Sequence, residues 1–312
     1  MSSGPVIALL APGQGSQAPG MLAPWLELPD TAERLAGWSE VVGLDLARLG
    51  TTADADEIKD TAITQPLIVA ATLLAHEELA RRVEIPADAV VAGHSIGEFA
   101  AAAVAGVLSA EDALALAAVR GREMAAACEL APSGMAALVR GTEEGILARL
   151  AELDLVPANR NGAGQIVAAG SAAALAELSK EPPEGAKVIA LKVAGAFHTH
   201  FMAPAQHALR KHAEGIAAPA DPTRVLLSNR DGAVVATGAE VLERLVDQVT
   251  NPVRWDLCMA TMAERGVTAV VEFPPAGALV GLAKRELKGT PNLALKTPDT
   301  LDAVVELIGG AA

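Results

Sequence analysis

The sequence predicts an α/β protein: a larger domain on a mainly parallel sheet with helices on both faces, interrupted by a smaller inserted domain. Three observations carry this. Short apolar, β-branched runs alternate with longer helical patterns along most of the chain. The 312 residues exceed the size of about 100–200 usual for one domain. Near residue 130 the elements shorten, and near residue 197 the longer pattern resumes.

Residues 5–10 read as a buried strand that breaks into a Gly/Pro loop, "APGQGSQAPGM". Asp30 and Glu33 stand in capping-box spacing, so a helix is expected to start there. "TQPLIVAATLLAHEELARR" reads as a helix apolar on most faces, hence central. A strand at 88–92, a Gly-Ser-Gly corner and a helix at 96–106 follow. Ser109 is expected to cap the next helix, with Asp112 three residues on. From residue 130, "GMAALVRG", "TEEGILARLAEL", "LVPANRNGAGQIVAAGS", "AAALAELSK" and "AKVIALKVAG" alternate as β-α-β-α-β, which suits a ferredoxin-like module. A helix near 200–215, strand "RVLLSN", helices "AEVLERLVDQV" and "RWDLCMATMAERG", strand "VTAVVEF" and a helix at 277–287 complete the pattern. The expected division is 1–129 with 197–312 for the larger domain and 130–196 for the insertion.

The composition, 51% apolar and 20% charged, supplies a sizeable core and argues against disorder. A net charge of −14 argues against a nucleic-acid partner. Cys128 and Cys258 fit a reducing compartment and are expected as buried thiols. The N-terminus lacks the basic flank and apolar core of a signal peptide. No apolar run reaches the roughly 18–20 residues of a membrane span. The expectation is a soluble, cytoplasmic protein with no membrane partner.

Gly93-His94-Ser95-Ile96-Gly97 fits the nucleophile-elbow pattern, in the required setting between strand and helix. Ser95 would then sit near a helix N-terminus, where backbone N–H groups can stabilise an oxyanion. Its hydroxyl needs a base. His76, His207 and His212 read as surface residues, and His94 is expected to point away from its neighbour. His198 and His200, in "VAGAFHTHFM", stand as equal candidates. Arg120 follows the apolar helix surface "ALALAAV", so it needs a partner if it faces inward and is otherwise an exposed helix-end residue. "GQGSQ" also follows a strand, and its glycines let amides approach a ligand. It has neither the glycine spacing of a dinucleotide fingerprint nor the Lys-Ser/Thr ending of a P-loop.

In collinear order from about residue 5 to residue 285, "APGQGSQ", "TQP", "GHSIGE", "VRGREM", "GAFHTHFM" and "NPVRW" resemble the malonyl-CoA:acyl carrier protein transacylases of fatty-acid and polyketide synthesis. The resemblance implies an α/β-hydrolase-like larger domain with a ferredoxin-like insertion, in a free-standing enzyme. It implies ping-pong transfer of malonyl from malonyl-CoA, through a serine ester, to the phosphopantetheine thiol of acyl carrier protein. No metal or redox cofactor is implied. By motif match Ser95 is the nucleophile and His198 the base, which separates His198 from His200. Gln248 would orient the histidine through its backbone carbonyl, and the amides of Gln14 and Ile96 would form the oxyanion hole. Arg120 would fork onto the free carboxylate of the substrate.

In related domains Phe197, in "AFH", and a residue such as Ile96 after the nucleophile go with malonyl rather than methylmalonyl, a discrimination of about 1–3 kcal/mol. Many relatives carry Gly-Pro-Gly where this chain has Pro274-Pro275-Ala276 followed by Gly277. An acidic carrier protein would need a basic rim, for which Arg160, Lys192, Arg230, Lys284 and Arg285 are candidates. A monomer is expected. The alternative is a serine hydrolase, a thioesterase or patatin-like lipase, using the same dyad with water as acceptor. Arg120 counts against it, because a neutral acyl chain offers a buried cation no partner.

Overall fold

The computed structural model describes residues 6–309; Pro5, which opens the expected first strand, and the outermost ends of the expected domain limits lie outside them. The chain first forms β1 (Val6–Ala11), α1 (Thr31–Val42), α2 (Leu46–Thr51), α3 (Thr61–Ala80), β2 (Val90–Gly93), α4 (Gly97–Val104) and α5 (Ala110–Cys128). A second group follows: β3 (Ser133–Arg140), α6 (Glu143–Glu152), β4 (Val156–Gly162), β5 (Gln165–Ser171), α7 (Ala172–Lys180) and β6 (Ala186–Ala190). The chain then adds α8 (Ala203–Ala213), β7 (Val225–Leu226), α9 (Gly238–Asp247), α10 (Trp255–Glu264), β8 (Val267–Glu272), α11 (Ala278–Glu286), β9 (Asn292–Ala294) and α12 (Leu301–Gly309). The fold is a larger α/β unit with a parallel sheet and a smaller unit with its own antiparallel sheet.

The larger sheet has the order β7-β2-β1-β8-β9, and every pairing is parallel. β1 is covered on both sides: Ile7, Leu9 and Ala11 join one core while Ala8 and Leu10 join the other. That is why its sequence is a continuous apolar run rather than an alternating one. α3 is enclosed along most of its length, from Thr64 to Ala75 without a break, and so lacks a polar stripe. Among the described residues no helix is long and apolar enough to cross a membrane.

The smaller sheet has the order β4-β5-β3-β6, antiparallel throughout. It contains one strand more than expected. The stretch "LVPANRNGAGQIVAAGS" is a hairpin, not a single strand, and turns at Ala163 (φ 49°) and Gly164 (φ 70°). Two consecutive left-handed residues are the geometry that a two-residue hairpin loop requires. The order becomes β-α-β-β-α-β, which completes the ferredoxin-like motif.

The start of α1 also departs from expectation. Asp30 takes φ 64° and its side chain caps nothing, so no capping box forms with Glu33. Thr31 anchors the helix entry instead, its hydroxyl within 2.8 Å of the carbonyls of Trp25 and Leu28. Ser109 does cap α5, its Oγ accepting from the Asp112 N–H at 2.9 Å. α2, β9 and α12 carry no expectation from the sequence, and "RVLLSN" contributes only the short β7 at the sheet edge.

Two features position the site. The C-terminal ends of β1 and β2 open on one side of the larger sheet, where open α/β sheets bind ligands. The smaller sheet is stitched beside them, with the Arg160 N–H donating to the Val253 carbonyl at 2.9 Å and the Val253 N–H to that of Ala158 at 2.8 Å.

Candidate active site

Between β2 and α4 the chain must reverse within three residues, and Ser95 at the apex takes φ 54°. Such a backbone is costly for a residue with a side chain and persists only where its surroundings enforce it. The flanking glycines make the enforcement possible. A Cβ on Gly93 would fall 2.0 Å from the Gly97 carbonyl carbon, and one on Gly97 2.2 Å from the Ala11 oxygen. Asn229 braces the corner from outside: its Oδ1 accepts from the Ser95 N–H at 2.8 Å and its Nδ2 donates to the Gly93 carbonyl at 2.7 Å. Asn229 lies in no motif of the sequence. The available signal was a polar residue ending the apolar run "RVLLSN", since a buried amide has to find partners.

His198 Nε2 lies 2.8 Å from Ser95 Oγ, and Nδ1 lies 2.9 Å from the Gln248 backbone carbonyl. A carbonyl only accepts, so Nδ1 carries the proton and Nε2 offers its lone pair to the hydroxyl. Burial, reinforced by the nearby Arg120 cation, lowers the His198 pKa to about 3, so the ring is neutral at physiological pH. His200, two residues on, is exposed and stacks on Phe201 at 4.5 Å. His94 turns to Asn161 Oδ1 at 2.8 Å.

His207 and His212 are exposed, but His76 is not the surface residue expected: it packs edge-on against Phe273, 6.1 Å between centroids. The reason is that α3 presents almost no solvent face.

Arg120 is 1% exposed, which removes the reading as a surface helix-end residue. Nη1 donates to Gln65 Oε1 and Nη2 to Gln248 Oε1, each at 2.7 Å, and Nη2 also lies 3.2 Å from Ser95 Oγ. The guanidinium sits 5.6 Å from the Phe99 ring centroid, and Nε is buried without a partner. Among the described residues no carboxylate forms an ion pair with it. Burial lowers its pKa to about 9, so it remains a cation at neutral pH.

Gln14, Ser95, Arg120, Phe197 and His198 line one cavity of about 80 Å³, walled by Met124, Met135 and Leu191. Apolar walls around a few convergent polar groups are the usual form of a small-molecule site. Ile96 is fully buried at the start of α4, and the N–H groups of Gln14 and Ile96 donate to no protein acceptor among the described residues. Gln248 contributes both its carbonyl, to His198, and its side chain, to Arg120.

Val193 also borders an open groove of about 600 Å³ that holds Lys59, Thr61, Cys128 and Lys192. Cys128 is half-buried there rather than buried as expected, because the helix end carrying it faces the groove; burial still pushes its thiol up to about 11. Of the rim candidates, Lys192 stands in this groove, while Arg160 is tied to Glu143 and Arg230 to Asp247. Lys284 and Arg285 are exposed at the end of α11. Among the described residues no cluster of three or more His, Cys, Asp or Glu side chains could hold a metal ion.

Residues 9–299 match the family model described as the acyl transferase domain, which defines the class of this fold and site. The malonyl CoA-acyl carrier protein transacylase of Mycobacterium tuberculosis (strain ATCC 25618 / H37Rv) is 61% identical over 303 residues, covering 97% of this chain and 100% of that one. The crystal structure of MCAT from Mycobacterium tuberculosis superposes with a TM-score of 0.93 at 60% identity, covering 96% of this chain and 99% of the other. A type II PKS acyl-carrier protein in complex with its malonyl-transacylase matches with a TM-score of 0.90 at 29% identity, over 97% and 99% of the two chains. The chain belongs to the malonyl CoA-acyl carrier protein transacylases, a family of acyltransferases.

Proposed function

We propose that this chain moves a malonyl group from malonyl-CoA to the phosphopantetheine thiol of acyl carrier protein through an ester on Ser95. His198 Nε2 takes the Ser95 proton as Oγ attacks the thioester carbonyl. The resulting oxyanion is held by the N–H groups of Gln14 and Ile96. The C–S bond breaks, and the CoA sulfur leaves with the proton from His198. In the second half the carrier thiol gives its proton to His198 and attacks the ester carbonyl, and the C–O bond breaks as Ser95 Oγ takes that proton back from His198. Gln248 keeps the imidazole in the productive tautomer throughout. No step calls for a metal or redox group.

One observation carries the choice of acyl group. Arg120 is a buried cation that opens on the cavity beside Ser95 and is held only by neutral oxygens. The free carboxylate of a malonyl group supplies the opposite charge in a bidentate form suited to guanidinium. A neutral acyl chain would leave the cation unpaired, which counts against a lipase or general thioesterase. Phe197 on the cavity wall would crowd an α-methyl branch.

The same reading divides the chain into 1–129 with 197–312 and an inserted unit at 130–196, supported by the separate antiparallel sheet. A monomer belongs to the same reading, with Ser95, His198, Gln248 and Arg120 meeting within one copy of the chain. Two unpaired cysteines support a cytoplasmic location.

Intact-protein mass spectrometry tests this. Malonyl-CoA is expected to add a malonyl mass that vanishes in Ser95→Ala, while acetyl-CoA labels the wild type far less. A malonyl adduct that survives in Ser95→Ala would overturn the assignment of the nucleophile. Release of free malonate without transfer to carrier protein would make the protein a hydrolase.

A further inference from the structure

Glu98, in the first turn of α4, is 6% exposed and lies outside the cavity lining, yet it joins the two sides of the site. Its Oε1 accepts from the Asn229 N–H at 2.7 Å, and its Oε2 accepts from Gln248 Nε2. Asn229 is the brace of the Ser95 corner, and Gln248 serves both His198 and Arg120.

The direction of these bonds matters more than their number. An ionised carboxylate can only accept, so the Gln248 amide must turn its NH2 group towards Glu98. The other hydrogen of that NH2 reaches the Ser95 carbonyl at 2.8 Å, and Oε1 is left facing Arg120 Nη2. With the amide reversed, NH2 would oppose guanidinium, donor against donor, and Arg120 would lose one of the two amide oxygens that aim it.

We propose that Glu98 is a positioning residue that fixes the orientation of the Gln248 amide and, through it, aims Arg120 at the substrate carboxylate. Glu98 thereby sets the preference for acyl groups that carry a free acid. This rests on Arg120 being the carboxylate clamp, as read above.

The charge of Glu98 is conditional. Burial raises its pKa to about 7, against the bonds from Asn229 and Gln248 and the cations Arg120 of α5 and Arg244 of α9. Cys258 of α10 also lies within its field, and its thiol is itself pushed up by burial. Protonation on Oε2 would set a hydrogen against the Gln248 NH2 and release the amide.

The test is competitive labelling of Ser95 by equimolar malonyl-CoA and acetyl-CoA, read by intact mass between about pH 6 and 8, in wild type, Glu98→Gln and Arg120→Ala. In Glu98→Gln the malonyl-to-acetyl ratio is expected to drop about tenfold, since the new NH2 group opposes either the Asn229 N–H that braces the Ser95 corner or the Gln248 NH2, and the amide is no longer held in one orientation. In wild type the ratio is expected to rise with pH through the titration of Glu98, and Glu98→Gln is expected to lose that rise. A merely structural role would lower both acyl groups alike and leave the wild-type ratio flat, and either result overturns the proposal. Should Glu98→Gln fail to fold, the wild-type pH profile decides alone. If Arg120→Ala keeps the malonyl preference, the clamp reading itself falls. If Arg120→Ala loses the preference while Glu98→Gln keeps it, only the assignment of Glu98 falls.

Discussion

Glu272 and Arg120 are both charged and both buried, yet the molecule satisfies them in opposite ways. Glu272 ends β8 and accepts from the backbone N–H groups of Gly277, Leu279 and Val280 at 2.8, 3.1 and 2.9 Å, closing the N-terminus of α11. A carboxylate there gains both direct bonds and the helix dipole. Burial raises its pKa, and those same three N–H groups work against the rise. Arg120 finds only amide and hydroxyl oxygens, and its Nε finds nothing. The first arrangement is closed on itself and holds a turn together. The second is complete only when an anion enters the cavity, so its cost is a functional one.

Arg120→Ala should give the largest effect. The kcat/KM for malonyl-CoA is expected to fall by about 10²–10³, roughly 3–4 kcal/mol of transition-state binding, while acetyl transfer falls far less. Stability should change little, because the bonds lost to Gln65 and Gln248 are offset by removing a buried charge that no carboxylate contacts directly. Steady-state kinetics with both thioesters, together with a thermal melt, check this. Equal losses on both substrates would break the contrast with Glu272.

Glu272→Gln should do the reverse. It sets an NH2 donor against backbone N–H donors at the start of α11 and is expected to cost about 2–3 kcal/mol of stability. The malonyl-to-acetyl preference should stay where it is. Urea titration and the same competition assay read the two halves of this statement. A changed preference with unchanged stability would move Glu272 into the site.

What could be read from the sequence follows the range of each interaction. The Ser95 corner was legible because strand, glycines and helix are contiguous. His198 and His200 could not be told apart on residue type, since they sit two apart in one loop. The resemblance chose His198, and in the structure its burial and its bonds to Ser95 and Gln248 distinguish it, which distant packing decides. Gln248 acts on His198 through a backbone carbonyl, which any residue possesses, so no side-chain pattern marks it and only the resemblance pointed there. Asn229 was missed because its partner Ser95 is 134 residues away. The hairpin inside 155–171 was missed although "NGAG" carries the glycines of its turn. The larger parallel sheet was clear because buried strands leave long apolar runs, whereas the short edge strand β9 left no trace and the expected strand "RVLLSN" shrinks to the two residues of β7.

The contrast between closed and open polar groups extends to two imidazoles, one buried and one half-buried, at a smaller scale. His198 uses both ring nitrogens, while His76 Nε2 is buried with no partner. Burial, with a smaller contribution from Arg224, lowers the His76 pKa to about 4. Native His76 is thus neutral where the unfolded chain, at an ordinary value near 6.5, already binds a proton. The unfolded state takes up more protons between those values, so stability is lost as pH falls from 6.5 towards 4. His76→Leu removes both the orphan nitrogen and this linkage. It is expected to stabilise by about 1 kcal/mol at pH 7, and by about 2–3 kcal/mol more at pH 4. Denaturant titrations of the two proteins at both pH values measure the difference directly. A gain of the same size at both would mean that His76 takes up its proton in the native state as readily as in the unfolded one, and the orphan nitrogen would then have a partner after all.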